Sequence, residues 1–221
     1  MKKQAGFTLI ELAIVLVIIG LLLGGVLKGQ ELINSAKVKS FANDFRNIPV
    51  FIYGYQDKFK ALPGDDARAN TNVNGTLTTN AGIGNGQLDG RWDDAAAVTS
   101  ETALFWQHVR LAGLAQGATD IAAADYFPRN ADGGAIGIES GGQSPVVDTQ
   151  ATPVGINGTY VICSRGILGK YVKQLDITMD NGDTGTGSML ATPQAGYTLG
   201  AAAVATASIV DGTSYIVCMG V

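Results

Sequence analysis

The strongest pattern in the chain is an uninterrupted apolar run from Phe7 to Leu27, which contains a single charged residue, Glu11. A helix that rises about 1.5 Å per residue can cross a hydrocarbon core of roughly 30 Å with a segment of this length. Lys2 and Lys3 precede the run, and the positive-inside rule therefore predicts a cytoplasmic N-terminus. The pattern predicts one membrane-spanning helix over 7–27, with the remainder of the chain outside the cytoplasm.

After this run the pattern changes to that of an amphipathic helix over 28–60. Apolar side chains recur at alternating steps of three and four residues, which lines one face of a helix. These positions are Val38, Phe41, Phe45, Ile48, Ile52, Tyr55 and Phe59. Pro63 and Gly64 then supply a stop signal. We therefore expect this helix to pack its apolar face on a globular head over 61–221.

Within the head, the pattern predicts a second helix over 99–114 that begins at a Ser or Thr N-cap, and a short helix over 168–175. A weak strand signal covers 135–138. The clearest strands are 158–163 and 213–218, two near-identical segments that each end in a cysteine. Pairing of these strands in one sheet would place Cys163 against Cys218, and two unpaired buried thiols are the alternative.

The N-terminus differs from an ordinary export signal. No small-residue cleavage site follows the apolar run, whereas Gly6 precedes it. An acid inside an apolar span costs about 2.5–3.5 kcal/mol on insertion scales, so Glu11 is expected to be functional and paired. A cut between Gly6 and Phe7 would leave a new amine one helical turn from Glu11, within pairing reach. A plain signal anchor, the alternative, explains neither Glu11 nor the position of Gly6.

The segment Gly6-Phe7-Thr8-Leu9-Ile10-Glu11 resembles the class III signal of type IV prepilins and type II secretion pseudopilins. This resemblance implies cleavage between Gly6 and Phe7 by a prepilin peptidase, N-methylation of Phe7, and a role for Glu11 in filament assembly. It also implies an α+β, type IV pilin-like fold. In that fold a long N-terminal helix, half membrane-spanning and half amphipathic, packs on an antiparallel β-sheet head that a C-terminal disulfide, here Cys163–Cys218, stabilises.

The implied function is that of a structural subunit, a major or minor pilin, of a type IV pilus or related filament. A pseudopilin that forms a periplasmic piston for secretion is the alternative. The expected partners are further copies of the chain, other pilins, prepilin peptidase and an inner-membrane assembly platform. The chain is expected in the bacterial inner membrane before assembly, and in a surface pilus or the periplasm afterwards. No nucleophile elbow, HExxH, P-loop or cysteine–histidine pair indicates an enzyme.

Charge changes this picture little. Asp and Glu number 19 against 15 Lys and Arg, a formal net charge of −4, and loss of Lys2 and Lys3 with the leader would make it more negative. An acidic head argues against nucleic-acid binding by its whole surface. Lys170 and Lys173 beside Tyr171 form the one small basic and aromatic cluster that we retain as an alternative binding surface.

No cofactor is expected, but two groups of acids are weak candidates for a structural calcium site. Asp89 and Asp93 lie in a loop with alternating oxygen side chains that lacks the bidentate glutamate of an EF-hand. Asp176, Asp180 and Asp183 lie in a segment that resembles one found in some prepilin-like heads, and major pseudopilins bind calcium in theirs. Acids that only stabilise turns are the alternative in both places.

Overall fold

The computed structural model describes residues 8–94, 99–143, 145–147 and 155–221. The chain divides into two compact units, Met1–Lys37 and Val38–Val221. The elements follow one another in this order: helix α1 (Leu9–Phe59), helix α2 (Ala69–Asn72), helix α3 (Glu101–Leu111), strand β1 (Ile136–Ser140), strand β2 (Val146–Val147), strand β3 (Tyr160–Leu168), helix α4 (Gly169–Met179), strand β4 (Met189–Pro193), strand β5 (Ala201–Ala202) and strand β6 (Ser214–Gly220).

In the first unit, the described residues of α1 expose their apolar side chains on every side. Leu9 is 89% exposed and Leu21 is 73% exposed. The apolar run ends at Lys28, whose ammonium pairs with Glu31 at 2.7 Å on the surface. Among the described residues, α1 is the one helix long and apolar enough, by length and composition, to cross a membrane. A helix that is apolar all round requires an apolar environment, which this unit does not supply.

In the second unit, α1 buries the face that the sequence pattern predicted. The side chains of Phe41, Phe45 and Ile52 are at most 1% exposed, and they belong to the main hydrophobic core. The helix continues through Pro49 and ends at Phe59. The predicted amphipathic helix is therefore confirmed, and its buried face anchors the head.

The head contains a four-stranded antiparallel sheet in the order β1-β3-β6-β4. Successive side chains of a strand point to opposite faces. Ile162 of β3 and Val217 of β6 accordingly join the main core, whereas Val161 and Ile216 join a second apolar cluster. Both faces of the sheet are thus covered, and the long helix followed by an antiparallel sheet is a pilin-like α+β architecture.

The predicted short helices are present with different bounds. Ser100 caps α3, and its hydroxyl accepts a hydrogen bond from the backbone N–H of Ala103 at 3.3 Å. Helix α4 runs to Met179, beyond the predicted end at Leu175. Thr178 donates its hydroxyl to the carbonyl of Gln174 at 2.7 Å, one turn back. The prediction that Asp176 follows the helix is therefore wrong, because this residue lies within α4.

Buried polar side chains fix the connection between α1 and α3. Asp65 accepts hydrogen bonds from the backbone N–H groups of Gly84 and Gly86. His108 lies on α3 and is fully buried; its Nδ1 accepts from Gly64 N–H at 2.9 Å and its Nε2 donates to Thr76 O at 2.8 Å. Because both ring nitrogens are engaged, His108 has a structural role.

Candidate functional site

The candidate site is the start of α1, where Thr8 and Glu11 form a capping box. One oxygen of the Glu11 carboxylate, Oε2, accepts the backbone N–H of Thr8 at 2.8 Å and its hydroxyl at 2.7 Å. In return, Glu11 N–H donates to Thr8 Oγ1 at 3.3 Å. This reciprocal arrangement satisfies amide groups that a helix N-terminus leaves without partners. Both Thr8 donors use Oε2, so the other carboxylate oxygen, Oε1, takes no part in the capping box.

The surroundings of this carboxylate are apolar and exposed. A set of large aliphatic side chains follows Glu11 around the whole helix, each at least 46% exposed. They are Leu12, Ile14, Val15, Leu16, Val17, Ile18, Ile19, Leu21, Leu22, Leu23, Val26 and Leu27. A carboxylate at a helix N-terminus is favoured by the helix dipole. The arrangement therefore presents one negative charge at the end of an apolar cylinder.

Four glycines, Gly20, Gly24, Gly25 and Gly29, interrupt the apolar surface. A Cβ atom added at any of them would meet nothing within 4 Å. Nothing in the described residues therefore requires glycine at these positions. Their small size becomes useful only when another helix approaches closely, or when the helix has to unwind locally.

Residues 1–27 match the family model described as the prokaryotic N-terminal methylation motif. This segment is a class III signal peptide. It is the signal peptide of type IV pilins and pseudopilins, and it supports a protein of that type. The signal peptide together with the exposed apolar helix fits membrane anchoring before assembly. Neither curated proteins nor solved structures give a significant match to this chain.

Two residues of the predicted processing site, Gly6 and Phe7, lie outside the described residues. Glu11 lies within them, in the first turn of α1. The roles of Gly6 and Phe7 in cleavage and of Glu11 in assembly stay predictions, and the match over residues 1–27 includes all three positions.

The predicted pairing of the two cysteines is confirmed. Cys163 on β3 and Cys218 on β6 are direct register partners, and their sulfur atoms are bonded at 2.04 Å. Both are fully buried in the second apolar cluster. The bond closes a sequence separation of 55 residues. In the chain-entropy model a loop of this size corresponds to a stabilisation of up to about 4 kcal/mol.

The acids near α4 act in turns. Asp180 accepts hydrogen bonds from Ser188 Oγ at 3.0 Å and Met189 N–H at 2.9 Å, and Asp183 accepts Gly185 N–H at 3.1 Å. Asp176 is buried, and burial raises its pKa to about 6, with smaller contributions from Asp180 and Asp183. Within the described ranges, no group of three or more His, Cys, Asp or Glu residues could hold a metal ion.

The loop acids are also engaged by the protein. Asp89 Oδ2 accepts Asn85 Nδ2 at 3.2 Å, whereas Asp93 forms ion pairs with Arg91 at 2.9 Å and with Arg165 at 3.4 Å. Both carboxylates therefore have protein partners, and the calcium site at Asp89 and Asp93 stays a prediction.

The small basic cluster on α4 is partly neutralised. Lys173 Nζ lies 2.8 Å from a carboxylate oxygen of Asp211, and Lys170 Nζ lies 4.7 Å from the centre of the Tyr171 ring. Lys173 therefore has an acidic partner, which weakens the cluster as a binding surface for polyanions.

Sequence reasoning missed three functional or structural features. The capping box had a readable signal, because Thr-x-x-Glu immediately before an apolar run is its signature. The burial of Glu101 and Glu139, which are both 0% exposed, had no readable signal in the sequence. Glu101 accepts Asp89 N–H at 2.8 Å and Glu139 accepts Trp92 N–H at 2.9 Å, and burial raises the pKa of each carboxyl to about 7.

Proposed function

We propose that this chain is a structural subunit, a pilin of a type IV pilus or related filament, that polymerises through the N-terminal part of α1 after cleavage between Gly6 and Phe7. The observation that carries the proposal is the single carboxylate of Glu11, held at the start of α1, whose apolar side chains in the first unit are exposed all round. Contact with the same helix of other copies would bury that surface without lipid.

The geometry at Glu11 supports a role in setting the register between copies. The capping box fixes the carboxylate at the N-terminal end of α1 and leaves Oε1 outside it. After cleavage, the new amine would belong to Phe7, four residues before Glu11 in the sequence, so this amine, or that of a neighbouring copy, could pair with Glu11. A subunit shifted along the axis would bury an unpaired carboxylate, at a cost of several kcal/mol.

Processing is tested by mass spectrometry of the mature N-terminus in cells that express the full chain. We expect peptides that begin at methylated Phe7. Peptides that begin at Met1, or at a site after Leu27, would contradict cleavage by a prepilin peptidase.

Assembly is tested by replacing Glu11 with leucine in cells that lack any other copy of the gene. We expect filaments to be lost while the protein remains present in the membrane. The matched control is Glu31→Leu, which removes the other glutamate of α1, an exposed residue paired with Lys28, and should leave filaments intact. Filaments of normal number from the Glu11 variant would overturn the proposal.

Imaging of sheared cell surfaces distinguishes a pilus subunit from a pseudopilin. Long surface fibres in which this chain is abundant would identify a major pilin. Long fibres that contain only a few copies of this chain would identify a minor pilin. Short periplasmic assemblies, together with a secretion defect when the gene is deleted, would identify a pseudopilin of a secretion system, the alternative form of the proposal.

A further inference from the structure

The head contains a small cleft that the filament function does not use. Its volume is about 130 Å³. The lining residues come from four separate segments of the second unit: Trp92, Asp93, Phe127, Arg129, Ala135, Ile136 and Arg165. Its walls are therefore mainly aromatic and aliphatic, with two guanidinium groups and one carboxylate among them.

One of the guanidinium groups, that of Arg165, is presented by a β-bulge. Between Ser164 and Ile167 the register of β3 against β6 shifts, so that Arg165 and Gly166 together oppose the single residue Ile216. Gly166 adopts a φ of 79°, a conformation that favours glycine. Bulges bend a strand and redirect a side chain, and they are over-represented beside functional sites.

The backbone of Arg165 is held from both sides. Its N–H donates to Ala135 O at 3.0 Å, and its carbonyl accepts Asn130 Nδ2 at 2.7 Å. Asn130 is buried and also accepts the N–H of Gly134. A Cβ atom on Gly134 would lie 1.7 Å from the Arg165 carbonyl oxygen, so only glycine allows this approach. The position of Arg165 is thus fixed by the fold.

Positive charge exceeds negative charge at this cleft, although the chain as a whole carries −4. The guanidinium groups of Arg129 and Arg165 lie in the wall against the single carboxylate of Asp93. Asp93 also pairs with Arg91, which lies outside the lining, so its charge is shared between Arg91 and Arg165. Arg165 Nε is buried and has no hydrogen-bond partner among the residues that the structure describes. A buried donor of this kind costs free energy until an acceptor is supplied.

From these observations we propose that the cleft between Arg129 and Arg165 binds a carboxylate on a short apolar stem. A planar carboxylate matches the fork of a guanidinium group. The apolar side chains of Phe127 and Ile136 suit a hydrocarbon stem. The volume equals that of about four water molecules, enough for a carboxylate with a stem of two or three carbons.

The carboxylate has two candidate sources with the same chemistry. One is a small-molecule acid from solution. The other is an aspartate or glutamate side chain of a second copy of this chain, whose head is acidic. Binding at the cleft itself does not depend on the proposed function, whereas the second source does.

The test uses the full chain in detergent, titrated with sodium propionate while the tryptophan fluorescence is followed. Trp92 is a suitable reporter because it lies in the cleft wall, with the guanidinium carbon of Arg165 5.3 Å from its ring centre. For a ligand of this size we expect saturation with a Kd on the order of 1 mM. Propionamide, the neutral isostere, should bind at least tenfold more weakly.

Variants locate the binding. Arg165→Gln and Arg129→Gln should each weaken propionate binding tenfold or more; Arg129 is exposed, so its replacement should leave the fold intact. The matched control is Arg68→Gln, an exposed arginine outside the cleft, which should bind like the parent chain. No saturation, equal binding of propionamide, or unchanged affinity in both cleft variants would overturn the proposal.

Filament formation by the Arg129 variant then identifies the source. If Arg129→Gln binds propionate weakly in detergent and also lowers filament yield in cells, while Arg68→Gln does neither, the ligand is an acidic side chain of a second copy. If it binds propionate weakly and filaments are normal, the ligand is an acid from solution. Both results support carboxylate binding at the cleft. If filaments are lost because cleavage at Gly6 fails, the titration of the full chain in detergent is unchanged, so the two failures can be told apart.

Discussion

The two units of this molecule differ in the solvent exposure of their apolar side chains. In the first unit, α1 exposes Leu9, Leu16 and Leu21 by more than two thirds of their surface, whereas in the second unit the same helix buries Phe41 and Phe45 almost completely. The head forms its core from its own residues, whereas the described part of the first unit, residues 8–37, contains no second element on which α1 could pack. The first unit is therefore built for an environment outside the chain, and the second is built to fold by itself around the sheet.

The largest expected effect concerns the head. Replacement of both cysteines by alanine removes a cross-link worth up to about 4 kcal/mol. At about 2–4 °C per kcal/mol for a unit of this size, the thermal midpoint of the head should fall by about 10 °C. Circular dichroism at a β-sheet wavelength follows the transition.

Addition of reductant serves as the control for the cysteine variant. It should lower the midpoint of the parent chain towards that of the Cys163→Ala, Cys218→Ala variant, and leave the variant unaffected. An equal midpoint for variant and oxidised parent would show that the cross-link contributes nothing to the stability of the head.

The next effect is the pH dependence of the head. Burial raises the pKa of Glu139 to about 7 from the ordinary value of 4.5, so the folded state holds this proton more tightly than the unfolded state. The bound proton stabilises the folded head by up to about 3 kcal/mol. This contribution is fully present below pH 4.5 and is lost as the pH rises through 7. Between pH 5 and pH 8, the thermal midpoint of the head should therefore fall by about 5 °C less in Glu139→Gln than in the parent chain.

Asp57→Asn is the matched control for Glu139→Gln, because its side chain is 91% exposed in an ion pair with Lys60. It should reproduce the pH profile of the parent chain. An unchanged slope in Glu139→Gln would mean that this carboxyl does not hold a proton in the folded head near neutral pH.

A smaller effect is expected in the first unit. Gly24→Ala with Gly25→Ala should stabilise the isolated helix by about 1 kcal/mol per residue, because alanine has the higher helix propensity and no neighbouring atom opposes its Cβ. Hydrogen exchange of amides 20–29 in detergent should slow by roughly fivefold for each kcal/mol. If copies pack closely at these glycines, the same variant should lower filament yield.

The head provides the control for the glycine variant. Its thermal midpoint should not change, because the substitutions lie in the other unit. A changed midpoint would contradict the independence of the two units, and unchanged exchange would contradict the view that these glycines weaken the helix.

The smallest effect concerns the capping box. Thr8→Val removes the hydroxyl that both donates to and accepts from Glu11, at a cost of about 1 kcal/mol. Exchange of the Glu11 and Leu12 amides should accelerate, as measured by NMR in detergent. Thr8→Ser retains the hydroxyl and should exchange its amides at the rate of the parent chain. Faster exchange in the serine variant as well would show that loss of the cap is not the cause.

Much of this molecule could be predicted from local pattern. The apolar run, the spacing of Phe41, Phe45 and Ile52, and the two strands that contain the cysteines each follow the period of one element. The motif around Gly6 and Glu11 is short and contiguous, so it can be recognised in the sequence without any knowledge of the fold.

The remaining features depend on residues that are distant in sequence. The partners of His108 are Gly64 and Thr76, and Leu88 N–H donates to Ser140 Oγ across 52 positions. The cleft at Arg165 requires a bulge, a buried asparagine and a loop from another part of the chain. No local period encodes such contacts, and buried acids such as Glu139 oppose the rule that charges lie outside.

The anchors between α1 and α3 have a practical consequence. His108 holds Thr76 and Asp65 holds Gly84, while Ala81, between these two contacts, is exposed. A guest peptide inserted between Asn80 and Ala81 would be tethered at both sides without entering the core. If copies of the chain polymerise, each would carry one guest at a regular spacing, and the fibre would become a scaffold for antigens or enzymes.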